Sequence, residues 1–163
     1  MSKETTEEDE IVRKMKRLIR KNVLEDRVPR RGRIFIRINQ KALKRTIRYL
    51  IKKMDFSHLS TITGVDVGEE IEVVYHLNRG GATVLSLKTR VMKDKPVLPT
   101  ITELIPGATL YEREVHDLLG VTFRGHTDLS PLVLPEGWPL DVYPLRKEWT
   151  IEKILKATKG GKQ

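Results

Sequence analysis

The 163-residue sequence contains no cysteine. Disulfides, thiolate metal sites, iron–sulfur ligation and a cysteine nucleophile are therefore excluded together. Aromatic residues are scarce at 6 %, so a core has to be built from Ile, Leu and Val. No apolar run approaches the roughly 20 residues that cross a bilayer. The opening Met1–Glu10 is acidic and lacks the apolar region of a signal peptide. The chain is thus expected to remain in the compartment where it is made. Acids are nearly missing from one segment: residues 13–53 carry 17 Lys and Arg against Glu25 and Asp26, a net +15. Such a segment suits nucleic acid, an anionic membrane surface or an acidic protein partner. There is no Gly-rich phosphate loop, no Ser/His/Asp order and no paired-carboxylate motif.

What is present reads as one domain's worth of α+β sequence. Residues 7–24 have helical apolar spacing (Ile11, Met15, Leu18, Ile19), with Thr5 or Thr6 as the cap. Pro29–Gly32 breaks the pattern, and Ile34, Ile36 and Ile38 then alternate as a strand. Asn39 caps a second helix over about 40–54. Strands follow at 56–63, 71–77 and 82–91, the last two joined by Asn78-Arg79-Gly80-Gly81 as a hairpin. This order predicts helices packed on a mostly antiparallel sheet. Abundant Lys, Arg, Glu and Ile without Cys also resembles the composition of thermophile proteins.

The last third differs. Thr109 and Glu112 have capping-box spacing, Gly120 sits as a terminator, and Tyr111, Val115, Leu118 and Leu119 form the stripe of a compact helix. Arg113 and Asp117 are spaced for an intrahelical ion pair. Glu112, His116, His126 and Asp128 offer metal-ligand residue types, but their spacing is common on surface helices. From Val121 to Trp149 the chain has four prolines and no helical period, yet keeps Trp138, Leu140, Leu145 and Trp149. The expected division is therefore an α+β domain over 1–120 and an extended, proline-rich, partner-binding tail over 121–163 with a short terminal helix near 150–158.

The stretch Tyr111-Glu112-Arg113-Glu114-Val115-His116-Asp117-Leu118-Leu119-Gly120-Val121, with Phe123 and Gly125-His126, resembles the signature of the 30-kilodalton (C-type) subunit family of respiratory complex I. Tyr143-Pro144-Leu145-Arg146-Lys147-Glu148 resembles that family's closing element. One departure is Ser130, where the family usually has a basic residue or proline. The lean length favours the branch found in membrane-bound nickel–iron hydrogenase complexes, with NADH:quinone oxidoreductase proper as the alternative. The resemblance implies a cofactor-free, non-catalytic peripheral-arm subunit of an ion-translocating redox complex on the cytoplasmic side of the membrane. It would touch the membrane only through that complex. Its partners would be a hydrogenase-like large subunit and a cluster-bearing small subunit. Glu112, Arg113, Glu114, Asp117, His126, Pro144, Leu145 and Arg146 would be interface residues, joined by Trp138 and Trp149 from the tail. A basic nucleic-acid-binding module is the competing class, but residues 13–53 hold only Phe35 and Tyr49 as aromatics and no reading motif.

Overall fold

A computed structural model describes residues 6–160. Helix α1 (Glu7–Ile19) begins at Thr6, whose side chain accepts from the Asp9 amide while Asp9 accepts from the Thr6 amide. This reciprocal capping fits the acid-rich first turn and the Lys16 and Arg17 of the last, which complement the helix dipole. The other candidate cap, Thr5, lies outside the described residues. The helix stops earlier than expected, in a 3-10 turn over Arg20–Asn22. Helix α2 (Leu43–Met54) follows a 3-10 turn that Asn39 caps by accepting from the Lys41 amide.

The main sheet has the order β1-β2-β5-β4-β3. Its strands are β1 (Val23–Arg30), β2 (Arg33–Ile38), β3 (His58–Asp66), β4 (Glu70–Arg79) and β5 (Thr83–Met92). All neighbours are antiparallel except β2 and β5. Strand β1 has no counterpart among the expected strands. It is an edge strand, exposed along most of its length and carrying Glu25, Asp26, Arg27 and Pro29, so it shows no apolar alternation. Charge and proline on an edge also discourage further pairing. The β1–β2 turn approaches the β4–β5 hairpin so closely that a Cβ at Gly32 would lie 2.7 Å from the Ala82 carbonyl oxygen.

One face of the sheet carries Ile34, Ile36, Ile38, Leu85, Leu87, Val73, Tyr75 and Ile62. These join Met15 of α1, Ile47 and Leu50 of α2, and Leu119 of helix α3 (Ala108–Leu119) in a single core cluster. The opposite face is polar, with a Glu72–Lys88–Arg90 ion cluster and His76 between Thr63 Oγ1 and Ser86 Oγ. This is the α+β architecture the sequence predicts: helices on one side of a mostly antiparallel sheet.

A second, two-stranded parallel sheet pairs β6 (Val97–Pro99) with β7 (Thr122–Arg124), and α3 is the crossover between them. The expected boundary after Gly120 therefore does not coincide with the edge of the core. Val121 and Phe123 are buried in it. A final helix, α4 (Ile151–Gly160), follows the irregular segment.

Candidate docking site

Helix α3 is the frame of the site. It lies so close to β3 that a Cβ at Gly64 would collide with Leu119 Cδ1 and lie 3.3 Å from Val115 Cγ1. Its capping differs from expectation. The N-cap is Gly107, and Thr109 Oγ1 donates to the Pro106 carbonyl at 2.8 Å instead of closing a box with Glu112. Gly120 does end the helix, in the left-handed region at φ 74°. A Cβ there would also sit 2.6 Å from the Tyr143 ring, because the C-terminal segment crosses back over it.

Glu112 is wholly buried, at 0 % exposure. Its carboxylate accepts from Thr100 Oγ1 at 2.5 Å and from the Ile101 amide at 2.8 Å, tying α3 to the β6–α3 connection. Burial pushes its pKa up, and those two hydrogen bonds only partly oppose the rise. The Tyr75 hydroxyl is pushed well above its usual range, by burial and then by the Glu112 charge. It has no hydrogen-bond partner among the described residues.

Arg113 and Asp117 do not pair with each other. Arg113 Nε donates to the Ser130 carbonyl, and Nη2 to Ser130 Oγ and the Pro131 carbonyl, all at 3.0 Å. Asp117 Oδ2 accepts from the amides of Leu132, Val133 and Leu134 at 2.7, 2.8 and 3.3 Å. The i, i+4 spacing that predicted a salt bridge instead grips five consecutive residues of irregular chain. A proline-rich segment has few internal partners for its backbone groups, and two charged side chains of one helix supply them.

The rest of the segment is held in the same way. His126 Nδ1 accepts from the Asp128 amide, which places the ring proton on Nε2, facing the Thr109 carbonyl at 3.1 Å. Trp138 Nε1 donates to the Val142 carbonyl at 2.8 Å. Arg146 Nε donates to the Leu119 carbonyl and the Leu145 amide to the Leu118 carbonyl, so the closing element caps the C-terminus of α3. Asp66, absent from the expected site residues, accepts from the Lys147 and Gly68 amides and pairs with Lys93 at 2.5 Å. Burial alone would raise its pKa, but the Lys93 ammonium and the two amides overcome this and hold it at about 2. The only sequence signal at Asp66 is its place before the Gly68 turn, which says nothing of residue 147.

The expected interface residues therefore divide. Glu112 and Asp117 are buried within the chain, where both oxygens of Glu112 and Oδ2 of Asp117 accept from backbone and hydroxyl donors of their own fold. Arg113, His126, Trp138, Pro144, Arg146 and Trp149 are half-buried. Glu114 and Leu145 face outward. Beside them the held segment exposes Val133 at 52 %, Leu145 at 55 % and Leu140 at 91 %. Among the described residues, no three of Glu112, His116, His126 and Asp128 gather as a ligand set, and Glu112 faces Thr100, His116 the Val121 carbonyl, and His126 the Thr109 carbonyl.

The fold and the site define a two-layer α+β protein whose C-terminal segment is pinned by one helix and presents apolar side chains outward. The chain belongs to the respiratory-chain NADH dehydrogenase 30-kilodalton subunit family, whose model matches residues 36–154. It is 36 % identical over 120 residues to the C subunit of F(420)H(2) dehydrogenase from Methanosarcina mazei, covering 72 % of this chain and 75 % of that one. It is 43 % identical over 102 residues to the C/D subunit of NADH-quinone oxidoreductase from Phocaeicola vulgatus, covering 60 % of this chain but 19 % of that longer one. A chain from the archaeal membrane-bound sulfane sulfur reductase, a respiratory membrane complex, superposes with a TM-score of 0.72 at 32 % identity. That match covers 91 % of this chain and 88 % of the other. The family is one of subunits of multisubunit oxidoreductases. No helix among the described residues is long and apolar enough to cross a membrane.

Proposed function

We propose that the chain is a non-catalytic, cofactor-free scaffold subunit of a membrane-bound, ion-translocating redox complex, bound on the cytoplasmic side to a larger hydrogenase-like subunit and a cluster-bearing small one. The observation that carries this reading is the pinned C-terminal segment. Arg113 and Asp117 of the family's signature are spent on holding backbone in place, and the segment they hold exposes Val133, Leu140 and Leu145 to solvent. Apolar side chains fixed in a pinned, irregular segment lose little further entropy when a partner covers them. The C/D relative, in which the matching portion is continuous with a much longer remainder, supports a large neighbour. The two-way length agreement with the sulfane sulfur reductase chain supports the lean, hydrogenase-type branch over NADH:quinone oxidoreductase proper.

The test is co-expression of the chain with the other subunits of its complex, comparing wild type with Val133→Asp/Leu140→Asp/Leu145→Asp. The triple variant should keep the stability of the isolated chain and disappear from the assembled complex on native gels. Turnover per assembled complex should be unchanged for Arg113→Ala. Assembly of the triple variant at wild-type yield, or an assembled Arg113→Ala complex without turnover, would sink the scaffold reading.

A further inference from the structure

A second surface lies where the end of α1 meets the start of α2. There an open cleft of about 780 Å³ is lined by Arg17, Leu18, Ile19, Arg20, Lys21, Asn22 and Arg45, four cations and no acid. We propose that this cleft is a second docking site, one that receives an acidic segment of a partner protein. The inference rests on the scaffold reading above and adds the place and chemistry of a second contact.

On the elements that form the shoulder and its neighbours, Asp26 of β1 pairs with Lys16 of α1, and Glu103 pairs with Lys44 of α2. Arg17, Arg20 and Lys21 have no ion pair among the described residues. Arg45 is held in position by donating to the Leu18 carbonyl at 3.1 Å, and Asn22 donates to the Ile19 carbonyl. Cations at a helix C-terminus complement the dipole, which accounts for Lys16 and Arg17. It does not account for Arg20. That residue sits at φ 42° and ψ −118°, the angles of the first central position of a type II′ turn, where glycine is favoured. An arginine held where glycine would be less strained is the pattern of a residue kept for what its side chain meets.

The chemistry favours protein over other polyanions. Arginine forks match carboxylates bidentately, and arginine is enriched at protein interfaces where lysine is depleted. Leu18 and Ile19 give the cleft an apolar lining for the stems of acidic side chains. None of the lining residues is an exposed large apolar group of the kind that inserts into a lipid surface. Tyr49, the aromatic of α2, is partly buried against the core and offers no stacking platform for a base.

The experiment uses the full chain in its complex, with the photo-cross-linker p-benzoylphenylalanine in place of Lys21, and the variants Arg20→Gly and Arg17→Glu/Arg45→Glu. The cross-linker should join a partner subunit within an Asp- and Glu-rich segment. Arg20→Gly should raise the Tm of the isolated chain by about 2–4 °C, the effect of relieving a strained backbone in a domain this size. It should also reduce the fraction recovered in complex at about 300 mM NaCl at least threefold, and the double variant more so, since the proposed contact is charge-assisted and screened by salt. An adduct with lipid, with an apolar or basic segment, or with nothing overturns the proposal. So do variant complexes as salt-resistant as wild type. Flotation of the wild-type chain, but not of Arg17→Glu/Arg45→Glu, with phosphatidylcholine vesicles containing roughly one-third phosphatidylglycerol at near-physiological salt would also overturn it, in favour of a lipid site. A wild-type chain that joins no complex fails both readings, whereas an assembled complex with a silent cross-linker fails this one alone.

Discussion

Two regions of the molecule use charge in opposite ways. Around α3, Glu112, Arg113, Asp117 and Asp66 are each consumed by bonds inside the chain. On the α1–α2 shoulder, Arg17, Arg20 and Lys21 line a cleft with no acid facing them. Among the residues that make the family recognisable, Glu112, Arg113 and Asp117 are thus internal struts, while the most heavily charged stretch carries no signature at all. A motif of charged residues marks what the fold needs as readily as what a partner touches. The contrast predicts that substitutions in the first region damage the chain itself, whereas those in the second leave it intact.

The largest effect is expected at Glu112. Glu112→Ala takes the buried acceptor away from the Ile101 amide and the Thr100 hydroxyl and opens a hole beneath them. A loss of about 3 kcal/mol follows from the unpaired buried groups and the void. Urea denaturation of the full chain measures it. A loss below about 1 kcal/mol, the worth of an ordinary single hydrogen bond, would show that Glu112 is not a strut. Asp117→Ala should cost about 2 kcal/mol, the order of a charge-assisted set of hydrogen bonds. Its effect should be local: cleavage by protease between residues 128 and 140 should accelerate while the sheet stays folded. Uniform acceleration across the chain would erase the distinction between the pinned segment and its frame.

Most of the frame was legible in the sequence because periodicity reports burial directly. The alternation of Ile34, Ile36 and Ile38, the stripe of α2 and the glycines of the β4–β5 hairpin each carry their own local signal. What was not legible depended on long-range partners. The edge strand β1 has no buried face to create alternation. The Arg113–Asp117 spacing pointed to a salt bridge because nothing local reveals that residues 130–134 return to the helix. The signature identified the family without revealing that Glu112 and Asp117 point inward, since a buried acid and a partner-facing acid look alike in a motif.

Acid should separate the closing element, which Asp66 holds, from the frame around α3, which Glu112 holds. Asp66 is held at about 2, below its ordinary 3.8, so its contribution is present above about pH 4 and is lost as pH falls through 2. Glu112 has the opposite sign: its raised pKa means that protonation is easier in the folded chain, so acid does not remove its contribution in that window. Hydrogen exchange, corrected for intrinsic rates, should show residues 143–148 opening between about pH 4 and about pH 2 while 100–112 stay protected. Simultaneous opening of both would mean that Asp66 does not control the closing element.

The smallest effect compares two arginines and tests the contrast most directly. Arg113 donates three hydrogen bonds to the segment at Ser130 and Pro131, whereas Arg17 makes none among the described residues. Arg113→Ala should cost about 1–2 kcal/mol, since charged groups bonded to backbone contribute that much when partly buried. Arg17→Ala should fall within about 0.5 kcal/mol of wild type, the range of surface substitutions that remove no specific bond. It removes one of several like charges crowded into one cleft, and relief of their mutual repulsion offsets any loss of helix-dipole complementarity at the end of α1. Denaturant midpoints of both variants at about 20 and about 300 mM NaCl decide the matter, because the Debye length shrinks severalfold between them. The Arg113 deficit should persist at high salt because its bonds are short and partly buried, and any small Arg17 effect should vanish under screening. Equal, salt-resistant losses for the two would mean that the shoulder, like α3, is built into the fold and not left open for a partner.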